Sequence, residues 1–181
     1  AYTVETKDPY TAGHQRRVSD LACAIAVEMS LDKEVIEGIR MASMIHDIGK
    51  IYVPAEILTR HGSLDDIEFM LIKKHPQVGY DILRTIEFPW PIAEIVYQHH
   101  EKLDGSGYPN GLIDEEILLQ AKILSVADVV EAMMLFRPYR RGLGIETAME
   151  EVTNNKGKLY DATVVDACVK LFNEKGYSFE Y

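Results

Sequence analysis

Basic residues are in short supply. Nineteen Lys and Arg face 29 Asp and Glu, giving a formal net charge of −10. So acidic a chain lacks the broad basic face that binding duplex DNA or RNA requires. Cysteine is scarce as well: Cys23 and Cys168 are the two, and no C-x-x-C occurs. That argues against a disulfide-built scaffold and against a thiolate zinc site. Both cysteines fall in apolar helical patterns and read as buried thiols in a reducing compartment, so a cytoplasmic setting is expected. No apolar run approaches the roughly 18 residues of a membrane-spanning helix, and no membrane insertion is expected. Period-two alternation of useful length is missing, as are internal repeats, heptads and low-complexity stretches. The chain opens on Ala1 rather than Met, and a preceding segment is expected.

What remains is helix. The chain has 181 residues, 47% of them apolar and 27% charged, which suits one soluble domain with a substantial core. Residues 14–29 place Val18, Leu21, Ala22, Ile25 and Met29 at three-and-four spacing. Residues 32–46 repeat the pattern, with Asp32 as the expected N-cap and Gly49 as the stop. Pro54 and Gly62 interrupt the next stretch, leaving room for one short helical turn. Ser63, with Asp66 three residues on, predicts a capping box for a helix running to His75-Pro76. A helix resumes after Pro76, and another follows Pro89 and Pro91. Residues 103–113, dense in Gly, Pro, Asn and Asp, predict a loop. A long apolar helix is predicted over 115–135, with two more near 144–155 and 161–175. The fold class is all-α: a single helical bundle.

The chemistry lies in the histidines. Five of the six fall in a scattered pattern: His14, the doublet His46-Asp47, His75 and the doublet His99-His100, with Asp128 in an apolar run. A lone histidine on an apolar face is ordinarily a hydrogen-bonded core residue, and His61 reads as a solvated loop residue. The doublets are different. Neighbouring helical residues point about 100° apart, so a doublet at a helix end can address two ions or two sides of one. An aspartate there can bridge, one oxygen to each ion. Five imidazoles and two carboxylates bring −2 to a pair of divalent ions, leaving positive charge for a bridging hydroxide and a phosphodiester. A donor set of imidazole and carboxylate without thiolate selects Fe, Mn, Ni or Zn rather than a Ca²⁺ or Mg²⁺ cage.

The motifs that carry these residues are D-P-Y-T-A-G-H at 8–14, H-D-I-G-K at 46–50, H-P-Q-V-G at 75–79, H-H-E-K-L-D-G-S-G-Y-P at 99–109, S-V-A-D at 125–128 and R-P-Y-R at 137–140. Together they resemble the HD-GYP family of HD-superfamily metal phosphodiesterases, over about residues 5 to 160. The resemblance implies an HD-domain helical bundle with additional C-terminal helices, filling residues 1–181 as one domain. It implies hydrolysis of a cyclic dinucleotide, chiefly cyclic di-GMP, by a metal-bridging hydroxide. His14, His46, Asp47 and Asp128 would hold one divalent metal, and Asp47, His75, His99 and His100 the other, Fe or Mn before Ni or Zn. Asp47 and Lys50 would be the catalytic pair, with Lys50, Tyr108, Arg137 and Arg140 binding substrate. With Lys102 and Arg141 these cations would form a local positive pocket on an acidic body, since salt screens charges beyond about 8–10 Å. Tyr108 offers either a ring face to a base or a hydroxyl to a phosphate.

Several positions depart from the family pattern. Tyr10 stands where some members have a glutamate that helps bind a third metal, so two metals are expected. Glu131 stands where aspartate is usual, and is expected to support the ligands from behind rather than bind a metal. Arg60-His61 and Lys122 also differ. By the same resemblance an upstream sensory or receiver domain and a diguanylate cyclase partner are candidates, and homodimerisation stays open. The competing reading is a weakly catalytic module that binds cyclic dinucleotide or metal and signals through partners. Another is a different nucleotide phosphohydrolase of the superfamily.

Overall fold

The computed structural model describes residues 13–60, 62, 64–134 and 144–179. Helix α1 runs over His14–Glu28 and α2 over Lys33–Ile45, joined by a tight turn. A 3₁₀ turn, Ile48–Tyr52, and the short α3, Ala55–Leu58, lead to α4, Asp66–Ile72. Helices α5, His75–Leu83, and α6, Ile92–Gln98, follow. A loop and a second 3₁₀ turn, Asp114–Glu116, then precede α7, Leu119–Met134. Helices α8, Gly144–Asn154, and α9, Ala162–Glu174, complete the described bundle. Among the described residues pairing of the β type is confined to isolated bridges, Asp104 with Ile113 and Lys156 with Tyr160.

Helix α7 is the axis. Ala121, Ile123, Leu124, Val126, Ala127 and Val130 are all fully buried, because α1, α2, α6, α8 and α9 pack around it. A helix apolar on nearly every side has to be central, since no face of it gains from water. Helix α1 lays Val18, Leu21, Ala22 and Ile25 into the same core. Cys23 and Cys168 are buried free thiols. No helix among the described residues is long and apolar enough to cross a membrane.

Four local readings differ from expectation. The capping box of α4 is Asp65 with Glu68, not Ser63 with Asp66. Asp65 Oδ1 accepts from Glu68 N at 2.9 Å and Glu68 Oε2 accepts from Asp65 N at 3.0 Å. The two signatures overlap, and the longer glutamate reaches back where aspartate would not; Ser63 itself lies outside the described residues. The break before α5 falls at Lys73-Lys74, so Pro76 sits in the first turn, where its missing N–H is not needed. Asp32 occupies the N-cap position of α2 but makes no side-chain capping bond. Gly49 is no helix stop. It lies inside the 3₁₀ turn, where a Cβ would overlap the His75 carbonyl oxygen and stand 2.7 Å from Gly79 N.

Gly49 thus lets the turn after α2 lie directly on α5, which brings His46-Asp47 beside His75. Gly49→Ala is expected to destabilise the protein by about 1–3 kcal/mol or more, the range for forcing atoms into a packed site. Urea unfolding of the two proteins measures the difference.

Candidate metal centre

The helix ends converge. His14 opens α1, His46 and Asp47 follow the end of α2, His75 opens α5, and His99 and His100 follow α6. Asp128 and Glu131 project from the second half of α7. His14, His46, Asp47, His75 and His99 are each at most 2% exposed.

Three of the imidazoles are aimed by the same device. His46 Nδ1 donates to Ser43 O at 2.7 Å, His75 Nδ1 to Ile72 O at 2.8 Å and His99 Nδ1 to Val96 O at 2.6 Å. A carbonyl can only accept, so Nδ1 carries the proton and each Nε2 presents a lone pair. His14 Nδ1 is held instead by Glu131 Oε2, which leaves its Nε2 facing Asp128 Oδ1 at 3.2 Å. His100 lies against His99 in a tilted pair and stacks on Tyr108, with ring centroids 4.0 and 4.7 Å apart.

The donor atoms gather in overlapping groups about Asp47, one of them joining His46, Asp47 and His99. Donor atoms of His14, His46 and Asp128 lie within 4.8 Å of one another, and so do those of His75, His99 and His100. Asp47 Oδ2 stands 3.8 Å from His14 Nε2 and 3.7 Å from His46 Nε2. Its other oxygen, Oδ1, stands 3.4 Å from His75 Nε2. One carboxylate therefore faces both groups with different oxygens.

Two observations test whether a divalent metal pair suits this cluster. His46 Nε2 is buried with no hydrogen-bond partner. His75 Nε2 and His99 Nε2 approach to 3.2 Å, although both nitrogens are lone-pair acceptors once Nδ1 is protonated. Burial also holds both rings neutral, His75 pushed down to about 4 and His99 to about 3. Facing lone pairs and an orphaned buried nitrogen are costly unless a cation lies among them. The donor set fits such ions.

The charges are unequal. Burial opposes protonation of His14, but hydrogen bonds to Asp128 and Glu131 outweigh it and raise the ring to about 9. Burial would raise Asp47 and Asp128, yet Lys50 and His46 beside the first, and His14 and His46 beside the second, hold both well below the carboxylate range. Lys50 Nζ donates to Asp47 Oδ2 at 2.7 Å. Tyr108 stacks on His100, and Lys73 Nζ stands 5.1 Å from the Tyr108 ring centroid. Lys102 Nζ donates to Ser125 Oγ at 3.1 Å and lies over the Tyr160 ring. Arg137, Arg140, Arg141, Tyr10 and His61 lie outside the described residues.

Three contributors carried no clear signal in the sequence. Glu101 is buried and accepts from Asn110 N at 2.7 Å and Leu112 N at 3.0 Å, which ties down the loop bearing Tyr108. Lys73 reaches that loop from the end of α4. Arg17 meets Glu131 from α1, with Nε donating to Oε1 at 2.8 Å. Arg17 stands three residues after His14, a spacing that could have marked it.

A helical bundle with a histidine–aspartate doublet at a helix end defines the HD-domain class. A family model described as HD domain matches residues 2–164. The chain belongs to the HD domain family. It is 41% identical over 172 residues to a cyclic di-GMP phosphodiesterase of Thermotoga maritima, covering 94% of this chain and 47% of that protein. It is 35% identical over 170 residues to 3'3'-cGAMP-specific phosphodiesterase 3 of Vibrio cholerae, covering 94% and 37%. The chain therefore spans less than half the length of these curated relatives. Its fold matches the solved structure of Bd1817, an HDG"Y"P protein from Bdellovibrio bacteriovorus. That match has TM-score 0.74 at 20% identity and covers 88% of this chain and 51% of that one.

A metal that takes His14 Nε2 must displace its proton, whereas His75 and His99 are already neutral. Divalent metal titrated into metal-free protein at pH 7 is expected to release about one proton from His14. Affinity at that position should rise about tenfold per pH unit up to about pH 9. Calorimetry in buffers of different ionisation enthalpy counts the proton.

Proposed function

We propose that this chain is a metal-dependent phosphodiesterase that hydrolyses a 3′–5′ phosphodiester of a cyclic dinucleotide, cyclic di-GMP foremost. The observation that carries the reading is the division of Asp47, one oxygen toward His14 and His46 and the other toward His75. In this reading His14, His46, Asp128 and Asp47 hold one divalent ion, and His75, His99, His100 and Asp47 hold the second. Iron or manganese suits imidazole and carboxylate donors without thiolate, with nickel and zinc as further candidates. The names of the relatives support a cyclic dinucleotide as substrate. The buried free thiols accord with a reducing cytoplasm.

When bound, such an ion pair supplies an activated water and neutralises charge on the phosphoryl group. The protein's own groups do the rest. Lys50, anchored at Asp47 Oδ2, brings a fixed positive charge to the phosphoryl oxygens, where preorganisation counts most. Tyr108, packed on His100, supports the nucleotide beside the ligands, and Arg137 and Arg140 complete the phosphate contacts. Glu131 keeps His14 in the orientation that presents Nε2.

The test is product chromatography on cyclic di-GMP and 3′,3′-cGAMP, with metal content measured on the same samples. The native protein is expected to yield linear dinucleotide or mononucleotide. His46→Ala and Asp47→Ala should abolish turnover with the fold intact. Lys50→Met should keep its metals and lower kcat by about 10²–10³-fold. Full turnover by Asp47→Ala would remove the two-metal mechanism. Nucleotide retained by the native protein without any product would establish a binding module instead.

A further inference from the structure

His14 differs from the three imidazoles aimed by backbone carbonyls: a side chain from another helix holds it. Glu131 Oε2 accepts from His14 Nδ1, and Glu131 Oε1 accepts from Arg17 Nε at 2.8 Å. The glutamate side chain is 1% exposed and the arginine side chain 12%. His14 and Arg17 are an i, i+3 pair on α1, and Asp128 and Glu131 are an i, i+3 pair on α7. Residues so spaced share a helix face. The packing of α1 on α7 sets the two pairs against each other. Asp128 Oδ1 meets His14 Nε2 at 3.2 Å, so the four side chains form a continuous chain from guanidinium to proposed metal ligands.

We propose that Arg17 is a positioning residue for the metal position formed by His14, His46 and Asp128, acting through Glu131. The inference rests on the metal reading above. A glutamate has three side-chain torsions, and one bond to His14 does not lock them. The Arg17 guanidinium takes the second oxygen and completes the lock. Glu131 then accepts from Nδ1 and leaves Nε2 for the ion, the arrangement by which a carboxylate orients a ligating histidine.

The backbone makes room for this. Gly13 precedes His14 with φ of 73°, and a Cβ there would stand 2.7 Å from Arg17 Nη1. Glycine at this position satisfies both the left-handed backbone and the guanidinium lying against it. Stability alone is a weak account of the pair, since a buried ion pair often returns little more than its desolvation costs. The bond to His14 is what distinguishes this one.

The test uses the full chain, stripped with chelator and titrated with Mn²⁺, with circular dichroism reporting the fold. The native protein is expected to bind two ions. Arg17→Met should bind one ion with native affinity and the other about 10–100-fold more weakly. Adding His100→Ala should remove the ion that remained tight. Glu131→Gln should weaken the same ion as Arg17→Met, and the double variant should lose no more than either single one, because both changes break one relay. Native affinity at both positions in Arg17→Met, equal weakening of both, or additive losses in the double variant would each overturn the proposal. Should Arg17→Met fail to fold, the cycle is run with Arg17→Lys, which keeps the charge without the fork, and the same outcomes decide. A native protein that takes up no ion overturns the metal reading and this inference together; two native ions with Arg17→Met unaffected overturn this inference alone.

Discussion

The placement of one buried carboxylate governs the rest of the molecule. Asp47 has a side chain 3% exposed, yet surrounding charges hold it ionised. Burying a carboxylate costs several kcal/mol unless it is paired and hydrogen-bonded on all sides. Here Lys50 meets one oxygen, and His14 and His46 face the same oxygen from two helices. His75 faces the other from a third. Each of those partners must arrive at a fixed distance. The turn after α2, the start of α1 and the start of α5 are therefore tied to one point, and the glycine at position 49 follows from that.

The architecture answers by using helix ends. A residue at the first or last turn of a helix is held by the helix but free to turn toward a neighbour. Carbonyls three residues earlier lock His46, His75 and His99 with no further side chain. The central helix α7 is the exception, giving Asp128 and Glu131 from within its second half. It can do so because α1 covers that stretch and brings His14 and Arg17 to meet them. The cluster is the place where this fold departs from ordinary core packing, with neutral histidines and an orphaned nitrogen where apolar side chains would pack at no polar cost. Departures of that kind concentrate at sites of chemistry.

Charge follows the same division between whole and part. The body is acidic, with a formal net charge of −10. The site gathers its own cations at short range: Lys50 on Asp47 and Lys73 at the Tyr108 ring, with Lys102 on Ser125. A net negative surface favours solubility, while charges so close together act on one another without screening by salt.

Much of this was legible in the chain. Three-and-four spacing marks α1 and α2, because a helix must bury a stripe. The His-Asp and His-His doublets mark the site, because metal donors are chemically distinctive whatever lies around them. Other features were not legible, for a physical reason in each case. S-x-x-D at 63–66 and D-x-x-E at 65–68 are both capping signatures, and only the reach of Glu68 separates them. Gly49 looks like a helix stop until α5 lies against it. Arg17 is an ordinary surface-pattern arginine until α7 presents Glu131. The amino-acid sequence by itself determined the helices and the donor chemistry, since both depend on side-chain type and local period. Tertiary packing alone decided which oxygen of Asp47 faces which histidines and what holds His14. Those are distances between residues far apart in the chain, set only when the helices dock.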